Sequence, residues 1–443
     1  MIRSKKIRNI FLIFVALRVV VYWFFAGRGI SPFGPDEGTY ASFLQWDLEG
    51  HSHSSFPNYG PDFYPKNVTF LWPSLTVTRI FHLSPLLSVR AVSGVFSILC
   101  AYLFCWVIQF IEIPTPKLGN KAKWLSVRNS RLTDEISKGR NSFNFVIGVV
   151  CVFIPSIFIW GTLGLKDTTV LFFFSTFTFS YVLFLYSYRI KRPSQFPIIL
   201  GLISALSLFA LFFIRAPLAQ VATISVILHQ IIQAIIERKY VLKHLTIGLI
   251  SILLFLLGGN LNTNGATPHR NSILDLASTV SSSEMHQSNL AKGAKSEITP
   301  IHIPVITDNC VTTNSKENGI IRNLCKISNI PWTLFSILIR PVPFIEKGSN
   351  FAFYASIENL IWYFLYFIFL KNFRKRIKLK FTNLRSSYAF ILLMTGIFLL
   401  SSSIFEGNVG TAFRHKIILL PILLISNFNF DNLEKYRRSK AVA

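Results

Sequence analysis

A helix that crosses roughly 30 Å of hydrocarbon needs about 20 consecutive, mostly apolar residues. This chain supplies such stretches repeatedly, near residues 8–26, 86–111, 143–163, 169–188, 197–214, 216–236, 245–259, 350–370, 386–404 and 413–430. A soluble fold would have to bury each of them on all sides, which so many cannot achieve together. Composition agrees, with 51% hydrophobic and 15% charged residues among 443, where a soluble protein carries roughly a quarter charged. The 15% aromatic content, including 43 Phe, excludes a disordered chain. The expected fold is an all-α integral membrane protein, a bundle of about ten transmembrane helices. The first stretch is expected to remain as an anchor, because no small-residue cleavage site precedes the next polar segment.

Lys and Arg number 45 against 20 Asp and Glu, a net charge of +25. On its own that excess suggests a nucleic-acid partner, but its placement points to membrane orientation instead. With Arg3, Lys5, Lys6 and Arg8 in the cytoplasm, most of the excess falls on cytoplasmic segments. These are 112–142, Arg189 to Arg192, Arg238 to Lys243, Lys371 to Arg385 and the tail from Lys435 to Lys440. The positive-inside rule is then satisfied in every loop, with both termini inside. No nucleic-acid partner is expected.

Two outer segments are more than connections, 27–85 and the polar 260–349. The chain therefore reads as an N-terminal membrane module over 1–259 whose first outer loop is 27–85. A large outer loop, 260–349, and a C-terminal membrane module, 350–443, follow. Within the first loop, Phe70 to Phe81 is apolar, too short to span and interrupted by Arg79, so it reads as a helix lying at the interface. Cys100, Cys105 and Cys151 fall in spans as small hydrophobes. Cys310 and Cys325 share the large outer loop and are either a disulfide or two free thiols. Asn67-Val68-Thr69 is a glycosylation acceptor if the host glycosylates that side.

Charged groups at membrane depth are costly and are usually retained for a task. Here they collect at the outer ends of the spans: Asp36 and Glu37 after the first, Lys166 and Asp167 between the third and fourth, and Arg215 between the fifth and sixth. Arg340 and Glu358 lie before and within the eighth, and Glu406 through Arg414, His415 and Lys416 join the last two. Cations suit a phosphate, Arg as a planar fork and Lys as a point charge. A carboxylate nearby suits a general base for an attacking hydroxyl. Each group also has a plainer reading. Asp36 and Glu37 fit the first turn of an interfacial helix, Lys166 with Asp167 fits a local ion pair, and Arg215 fits a snorkelling boundary residue. Arg414 to Lys416 fit interfacial anchoring, and Arg18 and Arg90 fit pairing inside the bundle.

Other chemistries find less support. Gly161 to Lys166 lacks phosphate-loop spacing, and His51-x-His53 reads as solvent-facing rather than as a zinc motif. Asp47-x-Glu49 offers too few oxygens for a hard metal. No metal and no cofactor is expected.

An N-in first span followed by Pro35-Asp36-Glu37-Gly38-Thr39-Tyr40 resembles the GT-C superfamily of polytopic glycosyltransferases. That group includes the dolichyl-phosphate-mannose protein mannosyltransferases and bacterial transferases of surface-polysaccharide pathways. The Ser84-to-Arg90 approach to the second span, the Trp160 to Asp167 turn, Arg340-Pro341-Val342-Pro343-Phe344 and Asn408 to Lys416 are also similar. The resemblance implies transfer of a sugar from a polyprenyl-phosphate donor to a glycan or lipid acceptor. The active site would lie on the extracytoplasmic face of the cell membrane. It implies Asp36 as base or acceptor-orienting group with Glu37 as its neighbour, and donor-phosphate binding by Lys166, Arg215, Arg414, His415 and Lys416. Asp167, Arg340 and Tyr40 would support them. In place of the family's Pro-Pro-Leu-Tyr stretch this chain has Tyr64-Pro65-Lys66-Asn67-Val68-Thr69. Two rivals remain: a polysaccharide polymerase or ligase using lipid-pyrophosphate donors, and a flippase or transporter for an anionic lipid or sugar.

Overall fold

The computed structural model describes residues 4–27, 35–57, 63–111, 145–189, 195–236, 337–343, 350–377, 387–405 and 409–426, with a few isolated positions besides. The described residues are mostly helical, and no strand occurs among them. Cys310, Cys325, the basic 112–142 segment, most of 260–349 and the basic tail lie outside them. Among the described residues, four helices are long and apolar enough to cross a membrane, within Lys5–Phe24, Pro85–Ile108, Asp167–Leu185 and Gln195–Ile236. The chain divides into two compact units that alternate along the sequence.

The first unit comprises Met1–Ala216, Leu365–Tyr388 and Leu420–Ala443. Its helices are α1 (Lys5–Gly27), α2 (Pro35–Leu48), α3 (Val68–Phe81), α4 (Pro85–Ile111), a run over 145–152, α5 (Pro155–Thr162) and α6 (Asp167–Arg189). The first half of α7 (Gln195–Ile236) also belongs to it. Helix α4 is its hub and packs against α1, α2, α3, α5 and α6. Ser93 and Ser97 let α4 approach its neighbours closely, and Phe104 and Ile108 fill the space further along. Arg18 of α1 reaches the C-terminal turn of α5, donating to the Phe158 carbonyl at 2.5 Å and to Thr162 Oγ1 at 2.9 Å. A Cβ on Gly161 would stand 2.2 Å from Arg18 Nη2, so only glycine admits that side chain. Helix α3 buries Phe70, Leu71, Ser74, Leu75 and Thr78 and exposes Trp72, Ile80 and Phe81.

The second unit comprises Pro217–Phe364 and Ala389–Leu419. It holds the rest of α7, about half of α8 (Asn350–Ile377), most of α9 (Ser387–Phe405), and α10 (Val409–Lys416). A short α11 (Leu419–Ser426) follows and lies mainly in the first unit.

Prolines set three interruptions. A proline lacks the N–H that would close the preceding turn, and its ring crowds the carbonyl four residues before it. The stretch read as one span over 143–163 breaks at 153–154, ahead of Pro155. The stretch read as 413–430 turns at 417–418, ahead of Pro421. Helix α7 loses helical geometry at Arg215 (φ −156°, ψ 74°), ahead of Pro217. The last break falls where the sequence separates two spans.

Candidate functional site

The tight turn between α5 and α6 organises the first unit. Gly164 sits there at φ +60°, a conformation glycine adopts at no steric cost. A Cβ on it would meet Val89 Cγ2 at 2.9 Å and Glu37 Oε1 at 3.1 Å. The next residue, Leu165, accepts a hydrogen bond from Ser93 Oγ at 3.0 Å, and Thr168 Oγ1 donates back to the Ser93 carbonyl at 3.1 Å. These bonds fix the turn on α4.

On one side of the turn, Glu37 is fully buried and receives Arg90 in a fork, Nε to Oε1 at 2.5 Å and Nη2 to Oε2 at 3.3 Å. Arg90 thus pairs inside the bundle, and the structure supplies the partner. Asp36 and Glu37 both occupy the first turn of α2, where the helix dipole favours negative charge. They divide the position between them, because Asp36 is exposed while Glu37 points inward.

On the other side, Lys166 Nζ donates to Asn67 Oδ1 at 2.8 Å, and Asn67 Nδ2 donates to the Phe63 carbonyl at 2.8 Å. Asn67 stands at the N-cap of α3 yet makes no capping bond with its side chain. Asp167 Oδ1 faces Arg215 Nη1 at 3.4 Å, with the Arg215 side chain 21% exposed and that of Asp167 4%. The cation at the break in α7 is therefore held by the carboxylate that opens α6. Tyr40 packs edge-on to Phe70 with ring centroids 5.2 Å apart and is buried.

Glu37, Lys166, Asp167 and Arg215, drawn from three segments of the sequence, thus lie around the same turn, each bonded to a partner. Asn67 and Arg90 are among those partners. The sequence marked Asn67 only as a sugar-attachment site, and its signal as an Asn that opens a helix was legible. Burial and the bond from Lys166 give that side chain a different task.

The second unit carries the remaining cations. Lys416 is buried, and its ammonium donates to the Arg340 carbonyl at 2.7 Å, to Asn359 Oδ1 at 2.9 Å and to the Leu338 carbonyl at 3.3 Å. Asn359 Nδ2 donates in turn to the Pro341 carbonyl at 2.6 Å, across the cis Arg340–Pro341 bond. Trp362 Nε1 donates to the buried Glu358 at 3.0 Å. Three good acceptors engage the three protons of Lys416, which makes it a clasp for the 338–341 segment. Arg414 and His415, on the same α10, are half-buried. Arg340 contributes its carbonyl here and is also half-buried.

A third cluster joins the ends of α2 and α3. Asp47 Oδ1 meets His53 Nε2 at 2.5 Å and its Oδ2 receives Arg79 Nη2 at 2.6 Å. Burial, then the Asp47 carboxylate, push the Tyr64 phenol above its ordinary range, against an opposing pull from Arg79. His53, read from sequence as solvent-facing, is held between Tyr64 and Phe43, with ring centroids 4.3 Å and 5.3 Å away. Among the described residues no group of three or more His, Cys, Asp or Glu is placed to hold a metal. No family model matches the chain, and no curated protein or solved structure matches it either.

Proposed function

We propose that the chain is a membrane glycosyltransferase that moves a sugar from a polyprenyl-phosphate donor to a glycan or lipid acceptor. In this reading it is a GT-C-like bundle of about ten spans with both termini in the cytoplasm, working on the extracytoplasmic face without metal or cofactor. One observation carries the proposal. The turn at 164–167 holds Lys166, bonded to Asn67, and Arg215, bonded to Asp167, on the same flank and abuts the acid-bearing start of α2 on the other. A half-exposed guanidinium and an ammonium, fixed by Asp167 and Asn67, suit a leaving phosphate on which charge grows as the glycosidic bond breaks.

Asp36 is the base of this scheme, accepting the proton of the acceptor hydroxyl as that oxygen attacks the anomeric carbon. Glu37, committed to Arg90, orients the first turn of α2. Arg414 and His415 remain the donor-phosphate residues that the resemblance implies, and within the second unit Lys416 holds the 338–341 segment. The purified protein, incubated with polyprenyl-phosphate sugars and an acceptor glycan, is expected to consume the donor. Asp36→Asn should remove transfer and leave expression and thermal stability unchanged; full turnover by that variant would overturn the role.

A second reading is favoured by one feature. Helix α7 breaks at a cation between two apolar stretches, and broken helices facing an anionic substrate are a feature of transporters. Under that reading the lipid-phosphate sugar crosses the bilayer chemically intact, so recovery of unhydrolysed, untransferred donor from proteoliposomes decides between the two.

A further inference from the structure

The Asp47 cluster lies outside the chemistry just described. Along α2, Asp47 is about 16 Å from Asp36 at roughly 1.5 Å per residue. Its carboxylate, 8% exposed, is shared by two donors. Because a carboxylate only accepts, His53 Nε2 carries the proton facing it, which leaves Nδ1 as the ring atom able to accept. Among the described residues Nδ1 has no hydrogen-bond partner, and the side chain is 37% exposed.

Arg79 commits only Nη2 to Asp47 and is 61% exposed, so its other guanidinium donors lack a partner among the described residues. Beside them His51 stacks on Trp46, with ring centroids 4.1 Å apart, and Trp46 Nε1 is fixed by the Ser52 carbonyl at 3.0 Å. His51, Glu49 and Ser52 are exposed around that stack. A planar cation, a fixed ring acceptor and a supported aromatic face thus lie within one short stretch of surface.

We infer that this surface is a subsite for an acidic glycan. Arg79 clamps a sugar carboxylate with the donors that Asp47 leaves unused. His53 Nδ1 accepts from a neighbouring hydroxyl, and a pyranose ring lies on the His51–Trp46 stack. A lipid phosphate needs cations alone, whereas acceptors beside the clamp fit a ligand that also donates hydroxyl protons. As the acceptor-side subsite of the enzyme, it rests on the transferase reading and would hold the glycan a few sugars from the point of transfer. Binding itself rests only on the cluster.

The test uses the full chain in phosphatidylcholine nanodiscs, titrated calorimetrically with tetragalacturonate and, in parallel, with neutral maltotetraose. Saturable binding of tetragalacturonate is expected, with maltotetraose at least tenfold weaker. His53→Gln and Arg79→Gln should each weaken tetragalacturonate at least tenfold. Arg79→Lys keeps the ion pair to Asp47 and loses the planar fork, so it too should weaken binding, with its melting temperature unchanged. Asp36→Asn should bind as the wild type does. No binding, equal affinity for the neutral glycan, or wild-type affinity in both Arg79 variants would overturn the inference. Equally effective competition by phosphatidylglycerol vesicles would assign the cluster to lipid and overturn it as well. Failure of the transferase reading shows separately, as donor left unconsumed while tetragalacturonate still binds.

Discussion

Glu37 and Arg90 form a two-bond ion pair in which neither side chain is more than 2% exposed. Removing one partner leaves a buried charge uncompensated, which costs about 3–5 kcal/mol. Arg90→Met or Glu37→Leu should therefore lower the melting temperature in detergent strongly. The double variant Glu37→Leu/Arg90→Met should recover much of that loss. If the double variant melts at least as low as both single ones, the pair does not hold α2 on α4.

Gly164 is the second point where stability and site meet. Alanine there would adopt a left-handed backbone, at a cost of roughly 1–2 kcal/mol, and would crowd Val89 and Glu37 Oε1. Gly164→Ala is expected to lower stability and donor consumption together. Thermal unfolding monitored beside activity would separate this from a purely chemical defect, which leaves the melting temperature alone.

The basic triplet should divide by function. Lys416→Met removes three bonds from the 338–341 segment and its surroundings and should destabilise the protein by several kcal/mol, since a buried acceptor without its donor costs roughly 1–3 kcal/mol each. Arg414→Gln should leave melting unchanged and raise KM for the lipid-phosphate donor. A stable Lys416→Met variant with a raised KM would reverse this division.

Asn67 sits in an acceptor sequence for N-glycosylation, yet its amide nitrogen donates to Phe63 and its oxygen receives Lys166. Expression in a glycosylating eukaryotic host should leave Asn67 unmodified in the folded protein, as read by peptide mapping. Asn67→Ala removes one hydrogen-bond partner of Lys166 and should reduce donor consumption more than it reduces stability. Quantitative glycan occupancy at Asn67 would contradict the burial.

Much of this was legible in the chain itself. Apolar length marked the helices that form, and Pro217 after Arg215 marked the interruption of α7. A cation followed at once by an acid, Lys166-Asp167, marked the turn. The partners were not legible, because a bond between Glu37 and Arg90 or between Asn67 and Lys166 depends on which helices meet, and periodicity says nothing about that. The division of Asp36 from Glu37 was hidden for a related reason. Adjacent positions on a helix point about 100° apart, and only the neighbour on one side decides which of them is covered. The split of 143–163 at Pro155 was written in the sequence, but hydropathy averages over it.

Hydrocarbon has no answer for an open rung in the backbone ladder. The interruption of α7 at Arg215 therefore sets the local solvent: whatever surrounds that residue must be wet, ionic or both. A half-exposed guanidinium with Asp167 at its side meets the demand from within. Such a spot draws water and charged headgroups into a chain that elsewhere repels them, so a single proline two residues downstream decides where this membrane protein is moist.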